Sequence, residues 1–148
     1  MTTHTLLRPR VLLVEDSDED AATMREALDL SGVAVDLYRV ISGDGCMELL
    51  RLQTVKQPVL VIMDLNTPGM DGREALVLIK ADDRLKNLPV VVVSTSGNPR
   101  DVDFCYAAGA NAYHLKPVRY LDHLKSMTEL ITYWLGNATL PADVREYS

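Results

Sequence analysis

The chain has 148 residues, of which 47% are hydrophobic and 24% are charged. This length favours a single domain with one core, and the composition excludes a disordered, collagenous or low-complexity chain. The formal net charge is −6, so direct binding to nucleic acid or to an anionic membrane surface is not expected.

Short apolar runs rich in Val, Leu and Ile alternate with longer amphipathic segments, and Gly, Pro, Asp or Ser marks each change. The predicted strands cover residues 11–14, 33–41, 59–63, 90–93 and 112–115. The predicted helices cover residues 19–30, 45–52, 72–81, 100–108 and 120–135. We expect Ser17 or Asp18 to cap the first helix, and Ser31 with Gly32 to end it.

Five strands that alternate with five helices predict successive β-α-β units, which right-handed crossovers assemble into an α/β fold. The expected architecture is a flavodoxin-like (βα)5 three-layer sandwich whose parallel sheet has the strand order 2-1-3-4-5. Most of the strands are apolar throughout, as expected for strands that are buried on both faces. Ligands of such sheets bind beyond the carboxyl ends of the strands, here near the first and third strands.

Targeting signals and reactive cysteines are not evident in the sequence. The longest apolar runs, such as residues 59–63, are far shorter than the roughly 20 residues that cross a bilayer. Residues 1–10 contain no apolar stretch typical of a secretion signal, so we expect a cytoplasmic protein. Cys46 and Cys105 lack the spacing of a metal site or a redox pair and are expected to be reduced core residues.

Polar residues follow four of the five predicted strands. Glu15 and Asp16 follow the first strand, Asp64 the third, Ser94 the fourth and Lys116 the fifth. Each residue taken alone has a structural explanation, such as a helix cap, a turn or a solvated loop cation. The carboxyl ends of parallel strands meet at one edge, however, and the convergence of all five residues there favours a functional site.

The three carboxylates at this edge predict a metal site. Neighbouring carboxylates raise one another's pKa unless a hard divalent cation lies between them, and Mg²⁺ is the expected cation. Mg²⁺ binds one or two carboxylates and keeps its other positions for water and phosphate oxygens. We therefore expect a phosphoryl group to bind beside the metal, with Lys116 as a second positive charge and one carboxylate as the nucleophile.

Four segments of the chain carry a resemblance to a known family. They are Val-Glu-Asp at residues 14–16, Met-Asp-Leu-Asn-Thr-Pro-Gly-Met-Asp-Gly at 63–72, Val-Ser-Thr at 93–95 and Leu-Lys-Pro at 115–117. Together they resemble the signature of the response-regulator receiver domains of two-component signalling, over about residues 8–136. The resemblance implies a receiver domain at residues 1–136 and a C-terminal tail without an effector domain at 137–148.

The resemblance also implies a role for each matching acidic residue. Asp64 is similar to the phosphoacceptor aspartate, and Asp16 to the acidic residue that binds Mg²⁺ directly. Glu15 matches the second acidic residue, which usually reaches the metal through water. Asn66 matches the residue whose backbone carbonyl is a metal ligand, and it also lies where receivers tune attack by water.

Four further positions match residues that respond to the phosphoryl group in this family. Ser94 matches the hydroxyl residue that moves onto the phosphoryl group, and Lys116 the lysine that pairs with it. Tyr113 lies at the aromatic switch position, and Pro117 at the proline that commonly follows a cis peptide bond. Glu15 and Ser94 replace the commoner Asp and Thr without removing a required donor or acceptor.

Two other classes of protein fit part of the pattern. A haloacid-dehalogenase-like phosphatase also uses an aspartyl nucleophile with Ser or Thr, Lys and Mg²⁺, but it normally has a second Asp where this chain has Asn66, and it needs room for a substrate cap. A flavin-binding electron carrier of similar fold has a phosphate loop rich in Ser, Thr and Gly after its first strand. Residues 15–20 of this chain are Glu-Asp-Ser-Asp-Glu-Asp, which would repel a phosphate unless a metal ion intervened.

Several remaining polar residues are expected to be structural. His4, His114 and His123 share no metal-ligand spacing, and no base is needed because the phosphodonor histidine belongs to the partner. Residues 43–45, Gly-Asp-Gly, are expected to form a turn.

The resemblance implies a signalling switch that catalyses only its own phosphotransfer and dephosphorylation, with a sensor histidine kinase as its partner. Residues 67–74, the serines near residue 94 and the extended C-terminus are similar to the single-domain regulators associated with bacterial phytochrome kinases. The last predicted helix has an apolar arc of roughly 180°, wider than the stripe of roughly 100° that covers a sheet. We therefore expect a homodimer through Leu121, Leu130 and Trp134, with coverage of this arc by the C-terminal tail as the alternative.

Overall fold

The structure is a computed structural model that describes residues 8–52 and 56–142. Its strands are β1 (Arg10–Val14), β2 (Asp36–Val40), β3 (Leu60–Met63), β4 (Val90–Ser94) and β5 (Ala112–Leu115). Its helices are α1 (Asp18–Ser31), α2 (Gly43–Arg51), α3 (Gly72–Ala81), α4 (Pro99–Ala108) and α5 (Tyr120–Ile131), and a π-helical segment, Thr132–Asn137, continues α5. His4 and residues 143–148 of the predicted tail lie outside the described residues.

The five strands form one parallel sheet in the order β2-β1-β3-β4-β5, which confirms the predicted fold class and strand order. Helices α2, α3 and α4 cover one face of the sheet, and α1 and α5 cover the other. Alternate residues of β1 point to the two faces. Leu12 and Val14 pack beneath α2, α3 and α4, whereas Val11 and Leu13 pack beneath α1 and α5. Burial on both faces explains why the central strands β1, β3 and β4 are almost entirely apolar, whereas the edge strands β2 and β5 are half-buried and carry polar residues.

Local capping residues set the ends of α1 as predicted. The Ser17 hydroxyl oxygen accepts a hydrogen bond from the backbone N–H of Asp20 at 3.2 Å, and Gly32 ends the helix at φ 70°. A left-handed backbone of this kind favours glycine. Both predicted ends of the first helix are therefore confirmed, and the acidic first turn of α1 comes directly after the end of β1.

Residues 43–45 form the first turn of α2, not the predicted turn between elements. Ser42 caps this helix, since its hydroxyl oxygen accepts from the backbone N–H of Gly45 at 3.2 Å. A Cβ atom at Gly43 would lie 2.6 Å from the carbonyl oxygen of Met70. The glycine therefore lets the start of the helix pack closely against the loop after β3. The sequence Gly-Asp-Gly alone does not indicate this contact.

Two other predicted elements have different bounds in the structure, and one predicted peptide-bond isomer differs as well. The edge strand β2 is shorter than residues 33–41, and α5 ends at Ile131 rather than at residue 135. The hydroxyl groups of Thr128 and Thr132 each donate to the carbonyl oxygen four residues earlier, and such bonds loosen and bend the end of a helix. Among the described residues no peptide bond is cis, so the bond before Pro117 is trans and the expected cis bond is wrong.

Cys46 and Cys105 are free and buried, as predicted. Burial raises the pKa of the Cys46 thiol to about 12, so this residue behaves as a small hydrophobic side chain. None of the helices in the described parts of the chain is long and apolar enough to cross a membrane.

Candidate functional site

The carboxyl ends of the strands bring the predicted polar residues to one edge of the sheet. Val14 of β1 is paired with Met63 of β3, so Glu15 and Asp64 leave the sheet side by side. The backbone N–H of Asp64 donates to the carbonyl oxygen of Val14 at 2.9 Å, which continues the ladder by one residue. The backbone N–H of Lys116 donates in the same way to Ser94 at 2.7 Å. Sheet hydrogen bonds therefore position the backbone of the site.

Three carboxylates converge at this edge. One oxygen atom from each of Glu15, Asp16 and Asp64 lies within 4.8 Å of the others. Glu15 and Asp64 are buried, whereas Asp16 is exposed. Burial, with a smaller contribution from the charge of Asp64, raises the pKa of Glu15 to about 7, although Lys116 lowers it. This set of oxygen donors, with its concentrated negative charge, fits a hard divalent cation.

Lys116 is at the centre of the cluster. Its Nζ lies 2.7 Å from Asp20 Oδ2, 2.9 Å from Glu15 Oε1 and 3.0 Å from Asp64 Oδ2. Burial by itself would lower the pKa of Lys116, but its hydrogen bonds to Asp20 and Glu15 raise the pKa above its usual value. We call Lys116 and the carboxylates of Glu15, Asp16, Asp20 and Asp64 the lysine–carboxylate cluster.

The Asp64 carboxylate is held by both of its oxygen atoms. Oδ1 accepts a hydrogen bond from the backbone N–H of Asn66 at 3.0 Å, and Oδ2 accepts from Lys116. A Cβ atom at Gly72 would lie 2.6 Å from the carbonyl oxygen of Asp64, so the start of α3 packs directly against the backbone of the predicted phosphoacceptor. Asp71 caps α3 by accepting from the backbone N–H groups of Arg73 and Glu74.

A second group of polar residues lies beside the carboxyl ends of β4 and β5. The hydroxyl oxygen of the fully buried Ser94 accepts from the backbone N–H of Ser96 at 3.1 Å. The Ser96 hydroxyl donates to Asp101, which also accepts from Arg73 Nη2 at 2.7 Å. The hydrogen bond from Ser96 and the one from Arg73 lower the pKa of Asp101. The Tyr113 hydroxyl donates to the carbonyl oxygen of Ser96 at 2.7 Å.

We call Ser94, Ser96, Tyr113, Asp101 and Arg73 the hydroxyl network. In the structure the half-buried ring of Tyr113 packs against the core beneath α2, α3 and α4. Its hydroxyl therefore already contacts the loop after β4. The aromatic switch role that the resemblance implies for Tyr113 stays a prediction.

Two residues of the lysine–carboxylate cluster and its surroundings were missed by the sequence analysis. Asp20 contacts Lys116, and the buried His123 places Nδ1 3.8 Å from the other oxygen of Asp20. Asp20 is the last residue of the acidic run at 15–20 and lies in the first turn of α1, whereas Asp16 precedes that helix. The acidic run was an available signal for Asp20, whereas nothing in the sequence indicated a contact between α1 and His123.

The predicted interface residues of the last helix differ in exposure. Leu121 is 72% exposed, whereas Leu130 is 2% exposed and belongs to the core beneath α1 and α5. Trp134 is half-buried and packs against the same core. The expectation that Leu130 contributes an exposed edge is therefore wrong, because this side of α5 faces the sheet.

A doubly covered parallel sheet with clustered carboxylates, a lysine and a buried hydroxyl at its carboxyl edge defines the class of the protein. The chain belongs to the response regulator receiver domain family, whose sequence profile matches residues 11–129.

The response regulator Rcp1 of Synechocystis sp. is 38% identical over 136 residues, which make up 89% of this chain and 92% of Rcp1. The crystal structure of the Mn²⁺-bound form of Rcp1 has 36% sequence identity and a TM-score of 0.87, and covers 90% of this chain and 99% of that one. The phosphorylated cyanobacterial phytochrome response regulator RcpA is similar too, with 36% identity, a TM-score of 0.86 and the same two coverages.

Proposed function

We propose that this protein is a single-domain response regulator that accepts a phosphoryl group from a sensor histidine kinase on Asp64. The observation that carries the proposal is the buried Asp64 carboxylate, which lies among the oxygen atoms of Glu15 and Asp16 and accepts a hydrogen bond from Lys116. The Mn²⁺-bound and phosphorylated states of the similar proteins support it. We propose residues 1–136 as the receiver unit and residues 137–148 as a C-terminal tail. Because its proposed partner is a sensor histidine kinase, we propose a cytoplasmic location.

The residues fit Mg²⁺ as the cation of this site. Glu15, Asp16, Asp64 and the backbone carbonyl of Asn66 would hold it, and when bound it neutralises charge on the phosphoryl oxygens. Asp64 attacks the phosphorus atom of the phosphohistidine, the P–N bond breaks and the histidine keeps the bonding electrons. Because Asn66 and Lys116 orient the two Asp64 oxygens, this transfer depends on positioning and electrostatics rather than on a protein base.

The experiment that tests this function compares Asp64→Asn with the wild type. Both proteins are incubated with Mg²⁺ and acetyl phosphate or the cognate kinase, and phosphorylation is followed by intact mass spectrometry. We expect no added phosphoryl group on Asp64→Asn, because the amide is not a nucleophile at this position. Asp83→Asn, which changes an exposed aspartate elsewhere, should label like the wild type. Labelling of Asp64→Asn at the wild-type rate would overturn the assignment.

We further propose that the partner kinase is of the phytochrome type. The similarity to RcpA, which is described as a cyanobacterial phytochrome response regulator, supports this partner. A phosphotransfer panel with the histidine kinases of the source genome tests it. The phytochrome kinase should phosphorylate the protein faster than every other kinase of the panel, and preferential transfer from a kinase of another type would contradict the proposal.

We also propose that the protein forms a homodimer through α5. Leu121 is 72% exposed, Tyr120 is 47% exposed, and Tyr133 of the segment after α5 is 56% exposed. Several large apolar side chains are thus exposed along α5 and the segment after it, and exposed apolar surface supports an interface there. Sedimentation at micromolar concentration should give a dimer for the wild type and a monomer for Leu121→Glu. The matched control is Leu52→Glu, which changes another exposed leucine, and a monomeric wild type in both phosphorylation states would contradict the dimer.

A further inference from the structure

Asp20 makes the shortest contact of the Lys116 ammonium, although it lies 96 residues away in the chain. Its Oδ2 is 2.7 Å from Nζ, compared with 2.9 Å for Glu15 and 3.0 Å for Asp64. An ammonium group has three N–H donors, and these three carboxylates accept from all of them. A phosphoryl oxygen can bond to this ammonium only if one of the carboxylates gives up its hydrogen bond.

Asp20 is held in place beside Lys116, so it competes with a phosphoryl oxygen for the ammonium as a fixed group rather than a flexible one. Its backbone N–H is bound by the hydroxyl of Ser17, the residue that caps α1, so the Cα of Asp20 is held in the first turn of that helix. His123 of α5 packs on the other carboxylate oxygen, with Nδ1 3.8 Å from Oδ1. The side chain of Asp20 is therefore supported from two helices, and only 26% of it is exposed.

The charges of the lysine–carboxylate cluster bear on this competition for the Lys116 ammonium. Glu15, Asp16, Asp20 and Asp64 contribute four carboxylates, against one ammonium and the two charges of a bound Mg²⁺. A phosphoryl group adds further negative charge to this cluster. Asp20 lies outside the group of three carboxylates whose oxygen atoms converge, so its charge acts on Lys116 rather than serving as one of the converging ligands.

On the basis of the proposed function, we propose that Asp20 is a positioning residue that holds the Lys116 ammonium and competes with the phosphoryl group for it. Asp20 then lowers the affinity of the site for the phosphoryl group. Neutralising Asp20 without changing its shape should weaken its hold on Lys116, because an amide oxygen accepts a weaker hydrogen bond from an ammonium than a carboxylate does. A phosphoryl oxygen should then compete more readily for that donor.

The test uses the full chain and trifluoroberyllate, a stable analogue of the phosphoryl group, at a saturating concentration of Mg²⁺. Asp20→Asn should bind the analogue about fivefold more tightly than the wild type, which is the effect of one partly exposed, charge-assisted hydrogen bond. Affinity is measured by isothermal titration calorimetry. Glu19→Gln removes the charge of an exposed neighbour in the same turn of α1 and should bind like the wild type.

A double-mutant cycle separates action through Lys116 from a general structural effect. In a Lys116→Gln background, Asp20→Asn should no longer change the affinity for trifluoroberyllate. Unchanged or weaker binding by Asp20→Asn, or an equal gain in the Lys116→Gln background, would overturn the proposal. Failure of the wild type itself to bind the analogue would instead contradict the proposed function.

Discussion

The lysine–carboxylate cluster and the hydroxyl network lie at the same edge of the sheet but are built differently. The cluster gathers charged side chains around a lysine whose side chain is only 8% exposed. The network connects hydroxyl groups and backbone atoms of the loop after β4, and ends in an ion pair between Arg73 and Asp101 near the surface. Charges interact more strongly where water is excluded, so the cluster is the region suited to binding ions.

The pKa values of two carboxyl groups, one in the cluster and one in the network, are shifted in opposite directions. Burial raises the pKa of Glu15 to about 7, even though Lys116 is bonded to it. Asp101 has a lowered pKa, because hydrogen bonds from Ser96 and Arg73 favour its charged form. Desolvation therefore dominates at Glu15, whereas hydrogen bonding dominates at Asp101. A substitution confined to one region should therefore leave the other region intact.

The largest expected effect is the stabilisation of the folded protein by Mg²⁺, which involves the cluster alone. At about 100 times its Kd, a ligand that binds only the folded state stabilises it by about 2.7 kcal/mol. For a chain of this size the Tm should rise by roughly 5–10 °C between EDTA and Mg²⁺. Asp16→Ala should lose this shift, whereas Asp101→Asn should keep it. An equal shift in Asp16→Ala would contradict the metal site.

A smaller effect is expected from Ser94→Ala, which breaks the network alone. The variant leaves the backbone N–H of Ser96 without its partner, so the free energy of unfolding should fall by about 1 kcal/mol. Urea unfolding measures this loss, and the increment from Mg²⁺ should stay at the wild-type value. Thr95→Ala, at an exposed neighbouring position, is the control.

The same Ser94→Ala variant tests whether the hydroxyl network couples phosphorylation to partner binding. We expect phosphorylated and unphosphorylated Ser94→Ala to bind the partner equally well, because the variant lacks the hydroxyl that is expected to move onto the phosphoryl group. Partner binding is measured with each protein before and after phosphorylation. If phosphorylation changed partner binding as much as in the wild type, the signal would not pass through Ser94.

The smallest effect concerns His123, the buried neighbour of Asp20. Burial lowers the pKa of His123, so between its folded-state pKa and the usual value near 6.5 the unfolded chain binds more protons than the folded one. The wild type should therefore lose stability relative to His123→Gln as the pH falls below about 6.5. This difference stays below about 1.4 kcal/mol per pH unit, the limit for one proton.

Urea unfolding of both proteins between pH 5 and pH 7.5 measures the effect of His123. His114→Gln is the matched variant, because burial also lowers the pKa of His114 on β5. A wild type that gained stability relative to His123→Gln at low pH would show that Asp20 outweighs burial at this position.

The sequence by itself determined the sheet and the principal residues of the site. Apolar runs at β1, β3 and β4 predict strands buried on both faces. Glu15 and Asp64 follow β1 and β3, Ser94 ends β4, and Lys116 follows β5. A residue placed immediately after a parallel strand must emerge at the carboxyl edge of the sheet. Glu15, Asp64, Ser94 and Lys116 could therefore be brought together by topology alone.

Only the tertiary structure decided which side chains of different helices meet. The contact of Asp20 with Lys116 depends on where the first turn of α1 lies relative to the end of β5, and that of His123 with Asp20 depends on the packing of α1 against α5. The burial of Leu130 likewise follows from the rotation of α5 on the sheet. Helical periodicity predicts an apolar face, but it leaves the axial rotation and offset of the helix open. Those two quantities follow from the packing of all the layers together.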